Sequence, residues 1–391
     1  MQRTLPPSAP RTYLVGCDFK SDIRVFSGST YHLALEGVKA GLLTGMVNLH
    51  PRGISGWPVY ARAGWWRFSG GLRVRYGFKF TDGYLDGIWR RGLPTLQGSR
   101  VINNFQLFGP RFIECHEAFG IAPYFYIDAS LSEYFGEYQE FDTAHIEDAA
   151  MRQALAAERV GYAVCRKLVV MSKRTASYIS RHYDVPQDKI RIVPPGANIA
   201  EHLLEKFDEL GEQPRRSDGK SLVIGFIGLY PERKGLPTIA GAVGLLRRTG
   251  YDIRLHVVGN CPPAIAQQEG VTHFGLIDKR VDTDRFIEIV RNVDVGCMLS
   301  RAELTGIAYL EFLRMGVPVV ATDVGGAPEI VELGAGDLVS PEISATELAQ
   351  RFAGMMDAPD RLADLRETAW RRRHNASWRR AVPELKRALD Q

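Results

Sequence analysis

Short apolar runs alternate with helix-length amphipathic segments along most of the chain. The first are a strand at 12–16 (TYLVG), a helix at 28–41 and a strand at 122–128 (APYFYID). A polar stretch at 211–220 (GEQPRRSDGK) interrupts the alternation, which restarts with a strand at 222–228 (LVIGFIG). This alternation is typical of parallel sheets covered by helices, and its repetition predicts two doubly wound α/β domains joined by a linker.

The position of the predicted linker sets the expected domain bounds. We place an N-terminal domain at 1–205 and a C-terminal domain at 220–375. In doubly wound sheets, ligands bind beyond the carboxyl ends of the strands. A cleft between two facing domains of this kind is therefore the expected active site.

Composition narrows the class of protein. The 391 residues suggest two domains, and 45% hydrophobic with 24% charged residues are ordinary for a globular chain. No apolar run reaches the roughly 18 residues of a transmembrane helix. The start carries an Arg and three prolines where a signal peptide needs an apolar run, so we expect a cytoplasmic protein. Five scattered cysteines without a C-x-x-C pair argue against a disulfide framework and a structural zinc site.

Basic and aromatic residues are concentrated between Arg52 and Arg111. That stretch holds ten Lys or Arg residues, two acids and four tryptophans. Such a composition suits an anionic partner, which could be a membrane surface, a lipid phosphate or a nucleic acid. For any single residue, a solvated basic face over ordinary core aromatics remains the alternative.

The segment 300–311 carries the strongest chemical signal. Glu303 and Glu311 lie eight residues apart, across a junction from the strand 294–300 to a helix that begins near Gly306. Glu303 would lie near whatever is attached to a phosphate bound there, and Glu311 could accept the paired hydroxyls of a ribose. Alternatively, Glu303 only complements the helix dipole and Glu311 is a solvated helix residue. Free amides at the start of this helix would favour an anion, most simply a phosphate; they belong to Leu304, Thr305, Gly306 and Ile307.

Five segments, taken in order, resemble the signature regions of family 4 retaining glycosyltransferases. They are VVMS (169–172), KIRIVPPGAN (189–198), GFIGLYPERKG (225–235), LHVVGN (255–260) and SRAELTGIAYLEFLRMGVPVVATDVGGAPEIV (300–331). The resemblance is close over 165–333 and holds only in outline before residue 165. It implies the GT-B fold, with two facing Rossmann-like domains, an interdomain cleft, and a last helix at about 376–391 that crosses back onto the N-terminal domain.

The resemblance also implies roles for residues of the C-terminal domain. Lys234, six residues after Gly228, takes the place of the lysine that binds the donor's diphosphate. Many members have arginine where this chain has Leu229, so Arg233 is expected to supply the second positive charge. Glu311 would hold the ribose, and Glu303 would lie at the hydroxyls of the donor sugar.

Two N-terminal residues are implied less directly. Gly28, in FSGST (26–30), would lie in the glycine loop that faces the diphosphate, with Ser29 where many members have a second glycine. Asp128, at the end of the strand 122–128, lies where the N-terminal domain would face the donor sugar. The alternative for Asp128 is a helix cap.

The implied activity is that of a retaining hexosyltransferase. It would move a hexosyl unit from a UDP- or GDP-sugar to a glycan or lipid-linked acceptor, in the biosynthesis of cell-surface polysaccharide or glycolipid. Lys234, Arg233 and the helix amides would stabilise charge on the leaving diphosphate, which itself helps to deprotonate the acceptor. A cationic clamp of this kind can replace a metal, so we expect neither a metal nor another cofactor. The acceptor would bind the basic block, at the inner face of a membrane.

Three other functions compete with transfer. One is a nucleotide-sugar 2-epimerase of the same fold, and another is a non-catalytic sugar-binding subunit. A nucleic-acid binder ranks last because no nucleic-acid motif accompanies the basic block. The D-x-D at Asp282 to Asp284 resembles the metal motif of a different glycosyltransferase fold, but it precedes a helix, so we expect it to act as an N-cap.

Overall fold

The computed structural model describes residues 10–16, 28–49, 61, 64–65, 78–104, 107–137, 148–211, 213 and 221–391. The chain divides into two compact units. An N-terminal unit comprises Met1–Val25, Leu33–Val193 and Val382–Gln391, and a C-terminal unit comprises Phe26–His32 and Pro194–Ala381. The segment 211–220, predicted to be the linker, lies largely outside the described residues.

The N-terminal unit is built on a parallel sheet of six strands in the order β2-β1-β3-β4-β5-β6. Its strands are β1 Thr12–Gly16, β2 Gly45–Asn48, β3 Arg100–Asn103, β4 Ala122–Ile127, β5 Lys167–Val170 and β6 Ile190–Ile192. Its helices are α1 Ser29–Lys39, α2 Asp82–Thr95, α3 Pro110–Cys115, α4 Leu131–Glu137, α5 Asp148–Val164 and α6 Lys173–His182, with 3₁₀ turns at Phe78–Phe80 and Gln187–Lys189.

Aromatic side chains fill much of the core beside this sheet. Trp89 is fully buried, and its indole N–H donates to the carbonyl of Leu107 over 3.3 Å. The rings of Phe108 and Phe112 stack with their centroids 4.2 Å apart, and Phe125 packs against Phe108 at 4.9 Å. Large aromatic residues bury much apolar area, so this cluster anchors α2 and α3 against β4.

The C-terminal unit contains a second parallel sheet of six strands, in the order β12-β11-β10-β7-β8-β9. Its strands are β7 Ser221–Gly228, β8 Asp252–Gly259, β9 Val271–Gly275, β10 Val295–Met298, β11 Val319–Thr322 and β12 Gly336–Val339. Its helices are α7 His202–Leu210, α8 Leu236–Arg248, α9 Pro263–Ala266, α10 Thr283–Arg291, α11 Ile307–Arg314, α12 Ala327–Leu333, α13 Ala345–Asp357 and α14 Pro359–Arg372. A 3₁₀ turn at Arg373–Ala376 precedes α15 Trp378–Asp390, whose residues from Val382 belong to the N-terminal unit.

The strand order of this second sheet positions the site. Along the chain the sheet grows from β7 through β8 to β9, and then from β10 on the other side of β7 through β11 to β12. This is the order of the nucleotide-binding Rossmann fold, which reverses direction between its two central strands. A crevice opens at the carboxyl ends of strands where the order reverses, here between β7 and β10.

The predicted alternation of strands and helices is confirmed in both units. The prediction of two Rossmann-like domains is therefore confirmed as well. The strand predicted at 12–16 has these bounds in the structure, whereas the strand predicted at 122–128 ends one residue earlier, at Ile127. The prediction of Asp282 as an N-cap is half right. Asp282 occupies that position but makes no side-chain cap bond, because its carboxylate pairs with Arg285 at 3.5 Å.

Two further features concern the described residues alone. Cys115, Cys165, Cys261 and Cys297 are free thiols. In this part of the chain, no helix is both long enough and apolar enough to cross a membrane.

Candidate functional site

Two loops meet where the order of the second sheet reverses. The loop after β7 carries Arg233 and Lys234, and the loop after β10 carries Glu303. Two hydrogen bonds join their backbones directly. The amide of Leu299 donates to the carbonyl of Lys234 over 2.9 Å, and the amide of Arg301 donates to the carbonyl of Arg233 over 2.8 Å. The two cations and the carboxylate are therefore held on one hydrogen-bonded framework.

Glu303 is buried between the two cations. Its Oε2 accepts from Lys234 Nζ at 3.1 Å, lies 3.9 Å from Arg233 Nη1, and accepts from the Ser300 hydroxyl at 3.2 Å. Burial alone raises the pKa of Glu303, but Lys234 and Arg233 outweigh that effect and hold the pKa below its usual value. Two cations thus lie at one carboxylate, in a position where they can also interact with an anion.

Two glycines make this arrangement sterically feasible. A Cβ on Gly228 would lie 2.6 Å from Cδ of Lys234, so the lysine stem can lie against β7 only because position 228 has no side chain. Gly306 caps α11 in the left-handed conformation, with φ at 82°, and a Cβ there would lie 2.4 Å from the Tyr309 ring. The predicted start of the helix near Gly306 is thus confirmed, and glycine is the residue suited to that turn.

The N-terminus of α11 adds a second feature that favours an anion. Helix dipoles and the unpaired amides of a first turn attract negative charge. Of the four amides predicted for this role, that of Ile307 belongs to α11 and that of Gly306 to its N-cap residue, whereas Leu304 and Thr305 precede the helix. The Thr305 side chain is buried, yet its Oγ1 has no hydrogen-bond partner within the described part of the chain. A buried hydroxyl without a partner is costly, so a ligand that accepts or donates a bond here would be stabilised.

Glu311 lies one turn inside α11 and is almost fully buried. It forms an ion pair with Lys279, which follows β9. No sequence motif marks Lys279, and it lies 32 positions from Glu311, so this lysine was not among the predicted site residues. Glu311 is not a solvated helix residue, so that alternative is wrong.

Asn198 links the turn after Pro194 to the start of α1. Its side-chain amide donates to the Ser29 hydroxyl over 3.0 Å and accepts from the Trp378 indole over 3.1 Å, while its carbonyl accepts from Lys279 over 3.3 Å. Gly28, immediately before Ser29, adopts a left-handed φ of 96° and belongs to the C-terminal unit. The glycine loop is therefore tied to the same unit as Glu311.

The remaining predicted residues lie elsewhere. Asp128 follows β4 in the N-terminal unit, is half-buried, and its carbonyl accepts from Thr175 Oγ1 at 3.0 Å. Part of the basic block lies outside the described residues, including Trp57 and Trp66. Among the tryptophans that are described, Trp89 belongs to the core, whereas Trp65 is 77% exposed.

Comparison with known proteins bears on the unit that holds this site. Residues 221–358 match the sequence model of the family described as glycosyl transferases group 1. The match begins at β7 and ends one residue after α13, so it includes Lys234, Glu303 and Glu311. The C-terminal unit is thus similar to a group 1 glycosyltransferase domain.

Curated relatives match over a comparable part of the chain. The D-inositol 3-phosphate glycosyltransferase of Pseudarthrobacter chlorophenolicus is 28% identical over 229 residues, covering 55% of this chain and 53% of the relative. The enzyme of the same name from Corynebacterium aurimucosum is 28% identical over 56% of this chain and 55% of its own length. The chain thus matches about half the length of these relatives.

Solved structures resemble the chain along nearly its whole length. The structure of Anabaena Alr3699/HepE in complex with UDP and glucose gives a TM-score of 0.59 at 13% identity, covering 98% of both chains. WaaG, a glycosyltransferase involved in lipopolysaccharide biosynthesis, gives 0.59 at 15% identity over 96% of this chain and 98% of its own. At such low identity the likeness concerns the fold, and it assigns the two Rossmann-like domains to the GT-B class.

Proposed function

We propose that this chain is a retaining hexosyltransferase that uses a nucleoside diphosphate sugar as donor. The observation that carries the proposal is the cluster of Lys234 and Arg233 on Glu303, beside the N-terminus of α11 and the unpartnered hydroxyl of Thr305. A site with two clustered cations, the N-terminus of a helix and one buried hydroxyl suits a diphosphate. The second buried carboxylate, Glu311, suits the hydroxyls of a ribose.

The proposed chemistry is mainly electrostatic. Negative charge builds on the diphosphate as the glycosidic bond breaks, and Lys234, Arg233 and the first amides of α11 stabilise it. The leaving phosphate takes the proton of the acceptor hydroxyl, which attacks on the same face, so the anomeric configuration is kept. Glu303, freed from Lys234 by the incoming diphosphate, accepts hydroxyls of the donor sugar.

The same clamp supports a reaction without a metal. Two cations can neutralise most of the charge that a divalent ion would otherwise offset. We therefore propose activity that survives a chelator.

The acceptor is proposed to be a glycan, a lipid-linked sugar or a phosphorylated polyol. The last of these is added because the matched relatives are named D-inositol 3-phosphate glycosyltransferases. We place acceptor binding in the N-terminal unit and its basic block, at the cytoplasmic face of a membrane. Binding to anionic but not to neutral liposomes would support the membrane part of this proposal, and equal binding to both would contradict it.

The test begins with donor binding. UDP, GDP, ADP and CDP are added to the protein in a thermal-shift panel, with magnesium and with a chelator. A ligand at 100 times its dissociation constant stabilises a protein by about 2.7 kcal/mol, which such a panel detects. The nucleotide that binds is then supplied as its glucose, galactose, mannose and N-acetylglucosamine conjugates.

Product analysis decides between transfer and its competitors. Transfer requires a new glycoside that forms only with acceptor present, in the anomeric configuration of the donor. Epimerised nucleotide sugar formed without acceptor would identify a 2-epimerase. Failure of all four nucleotides to bind would overturn the donor-site assignment.

A further inference from the structure

The ion pair between Lys279 and Glu311 carries an inference that rests on the proposed function. Glu311 is only 2% exposed, and Lys279 is the cation that compensates its charge. A buried carboxylate needs such a partner, because removing one member of a buried pair leaves an uncompensated charge. Lys279 and Glu311 therefore form a functional unit, although no motif marks the lysine.

The hydrogen bonds divide the two oxygens of Glu311 between different tasks. Lys279 Nζ donates to Oε1, and it also donates to the carbonyl of Asn198 over 3.3 Å. Oε2 receives no hydrogen bond from any residue that the structure describes. A carboxylate can accept several hydrogen bonds, so Oε2 remains available to a hydroxyl donor while Lys279 keeps Oε1 in place.

Lys279 is itself fixed from three directions. Its ammonium lies 5.1 Å from the centroid of the Phe286 ring, within the range of a cation–π contact. The carbonyl of Asn198 lies on another side, and the Asn198 amide is locked by Ser29 and Trp378. The lysine is thus a rigid support and not a mobile surface cation.

We propose that Lys279 is a positioning residue for recognition of the donor's ribose. By binding Oε1 it neutralises Glu311 and sets the direction of Oε2, which accepts the 2′- and 3′-hydroxyls. Through Asn198 and Ser29 it also ties this recognition to the glycine loop at the start of α1. Lys279 touches neither the diphosphate nor the reacting atoms.

The test compares a ribose with a ribose that lacks these hydroxyls. The probes are the nucleoside diphosphate that binds the wild type in the panel above and its 2′,3′-dideoxy counterpart, both titrated by calorimetry. The readout is the ratio of the two dissociation constants, which uniform damage to the site would not change. Variants are K279M, K279R, E311Q and the double variant K279M/E311Q, with R280M as the matched control because Arg280 pairs with the exposed Asp278.

We expect the wild type to prefer the ribose form by about tenfold or more, the equivalent of about 1.4 kcal/mol. K279M and E311Q should both bring the ratio close to one, and the double variant should lose no more than either alone. K279R should retain most of the ratio, and R280M should retain all of it. If K279M keeps the wild-type ratio, Lys279 has only a structural role and the inference is overturned.

Three further outcomes are decisive. K279M leaves a buried carboxylate unpaired and could fail to fold, whereas K279M/E311Q removes both charges. If K279M does not fold, the double variant and E311Q must show the same low ratio of dissociation constants. A wild-type ratio in either of these two variants then overturns the inference. Absence of nucleotide binding by the wild type would instead overturn the proposed function. A wild type that binds with a ratio near one would leave the proposed function standing and refute the role of Lys279.

Discussion

Lys234 donates a hydrogen bond of 3.1 Å to Glu303, although the two residues lie 69 positions apart in the chain. The bond connects the loops that follow β7 and β10, the two strands between which the order of the sheet reverses. Arg233 approaches the same carboxylate oxygen at 3.9 Å. One carboxylate thus organises two cations at the place where this fold binds ligands.

Replacement of Lys234 by methionine should weaken nucleoside diphosphate binding. The change removes one charge-assisted hydrogen bond, worth about 1.5–3 kcal/mol, which corresponds to a loss of roughly ten- to a hundredfold in affinity. Calorimetric titration with the nucleotide found in the panel measures it. Lys206→Met is the control, since Lys206 is exposed and its Nζ lies 3.8 Å from Asp284 Oδ1. An unchanged dissociation constant for Lys234→Met would contradict the assignment of Lys234 to the diphosphate.

Thr305→Val should have opposite effects on stability and on binding. Valine has nearly the shape of threonine, and it removes a buried hydroxyl that has no partner in the described structure, so the free protein should gain up to about 1 kcal/mol. If the hydroxyl bonds to the diphosphate, the same change should weaken nucleotide binding by about fivefold or more.

Thr305→Ser restores a hydroxyl at the same position and should recover binding. Denaturant unfolding and calorimetry on the same samples provide the two readouts. A Thr305→Val protein that is less stable yet binds nucleotide normally would show that the hydroxyl serves the fold and not the ligand.

Gly306→Ala should destabilise the protein and impair the site. Alanine disfavours the left-handed φ of 82° by about 1–2 kcal/mol, and its Cβ would collide with the Tyr309 ring. The start of α11 must then shift, which moves the amides proposed to bind the diphosphate. Thermal unfolding and nucleotide titration should both show the effect.

Gly354→Ala is the matched control for that substitution. Gly354 lies on the exposed face of α13, and nothing lies within 4 Å of a Cβ at this position. Alanine in a helix interior is favoured over glycine by about 0.5–1 kcal/mol, so this variant should be slightly more stable and bind normally. Equal stability of the two variants would refute the strain argument for Gly306.

Glu158 should give the N-terminal unit a pH-dependent stability. Its carboxylate is fully buried and accepts bonds from the Leu131 amide at 2.7 Å, from the Tyr162 hydroxyl at 2.8 Å and from the Tyr183 hydroxyl. Burial outweighs these bonds and raises the pKa of Glu158 to about 7. The folded state therefore binds a proton more tightly than the unfolded state, so this contribution to stability is lost as pH rises from about 4.5 to about 7.

Glu158→Gln imitates the protonated acid and should remove most of that dependence. At pH 8 the variant should be more stable than the wild type, by at most about 3 kcal/mol, and the difference should shrink towards pH 5. Denaturant titrations of both proteins across this range test the sign. A gap that widens as the pH falls would contradict the raised pKa.

Much of the site followed from local sequence. Glycines, a lysine and two glutamates at fixed spacings mark the loops after β7 and β10, and the resemblance to family 4 glycosyltransferases rests on them. The N-terminus of α11 could be predicted since Gly306 precedes a run of helix formers. Lys279 could not, because its pairing with Glu311 depends on the path of the chain after β9.

The short strands β2, β3 and β12 escaped prediction for a related reason. Each holds only two apolar residues (GMVN, RVIN and GDLV), too few to distinguish a strand from a loop, and each is held by pairing with a neighbouring strand. The basic block shows the same limit of local sequence. Composition does not separate its core residues from its surface residues, and Trp89 belongs to the apolar core, which was the alternative for single residues.

The class of fold, two helix-covered parallel sheets, could be read from the chain, because hydrophobic periodicity and turn residues act over a few neighbouring positions. The chemical character of the loops after β7 and β10 could be read in the same way. The order of the strands, and hence the contact between Lys234 and Glu303, depends on long-range packing. The tertiary structure alone joined Ser29, Asn198 and Trp378, since hydrogen bonds across 169 and 180 positions leave no local pattern.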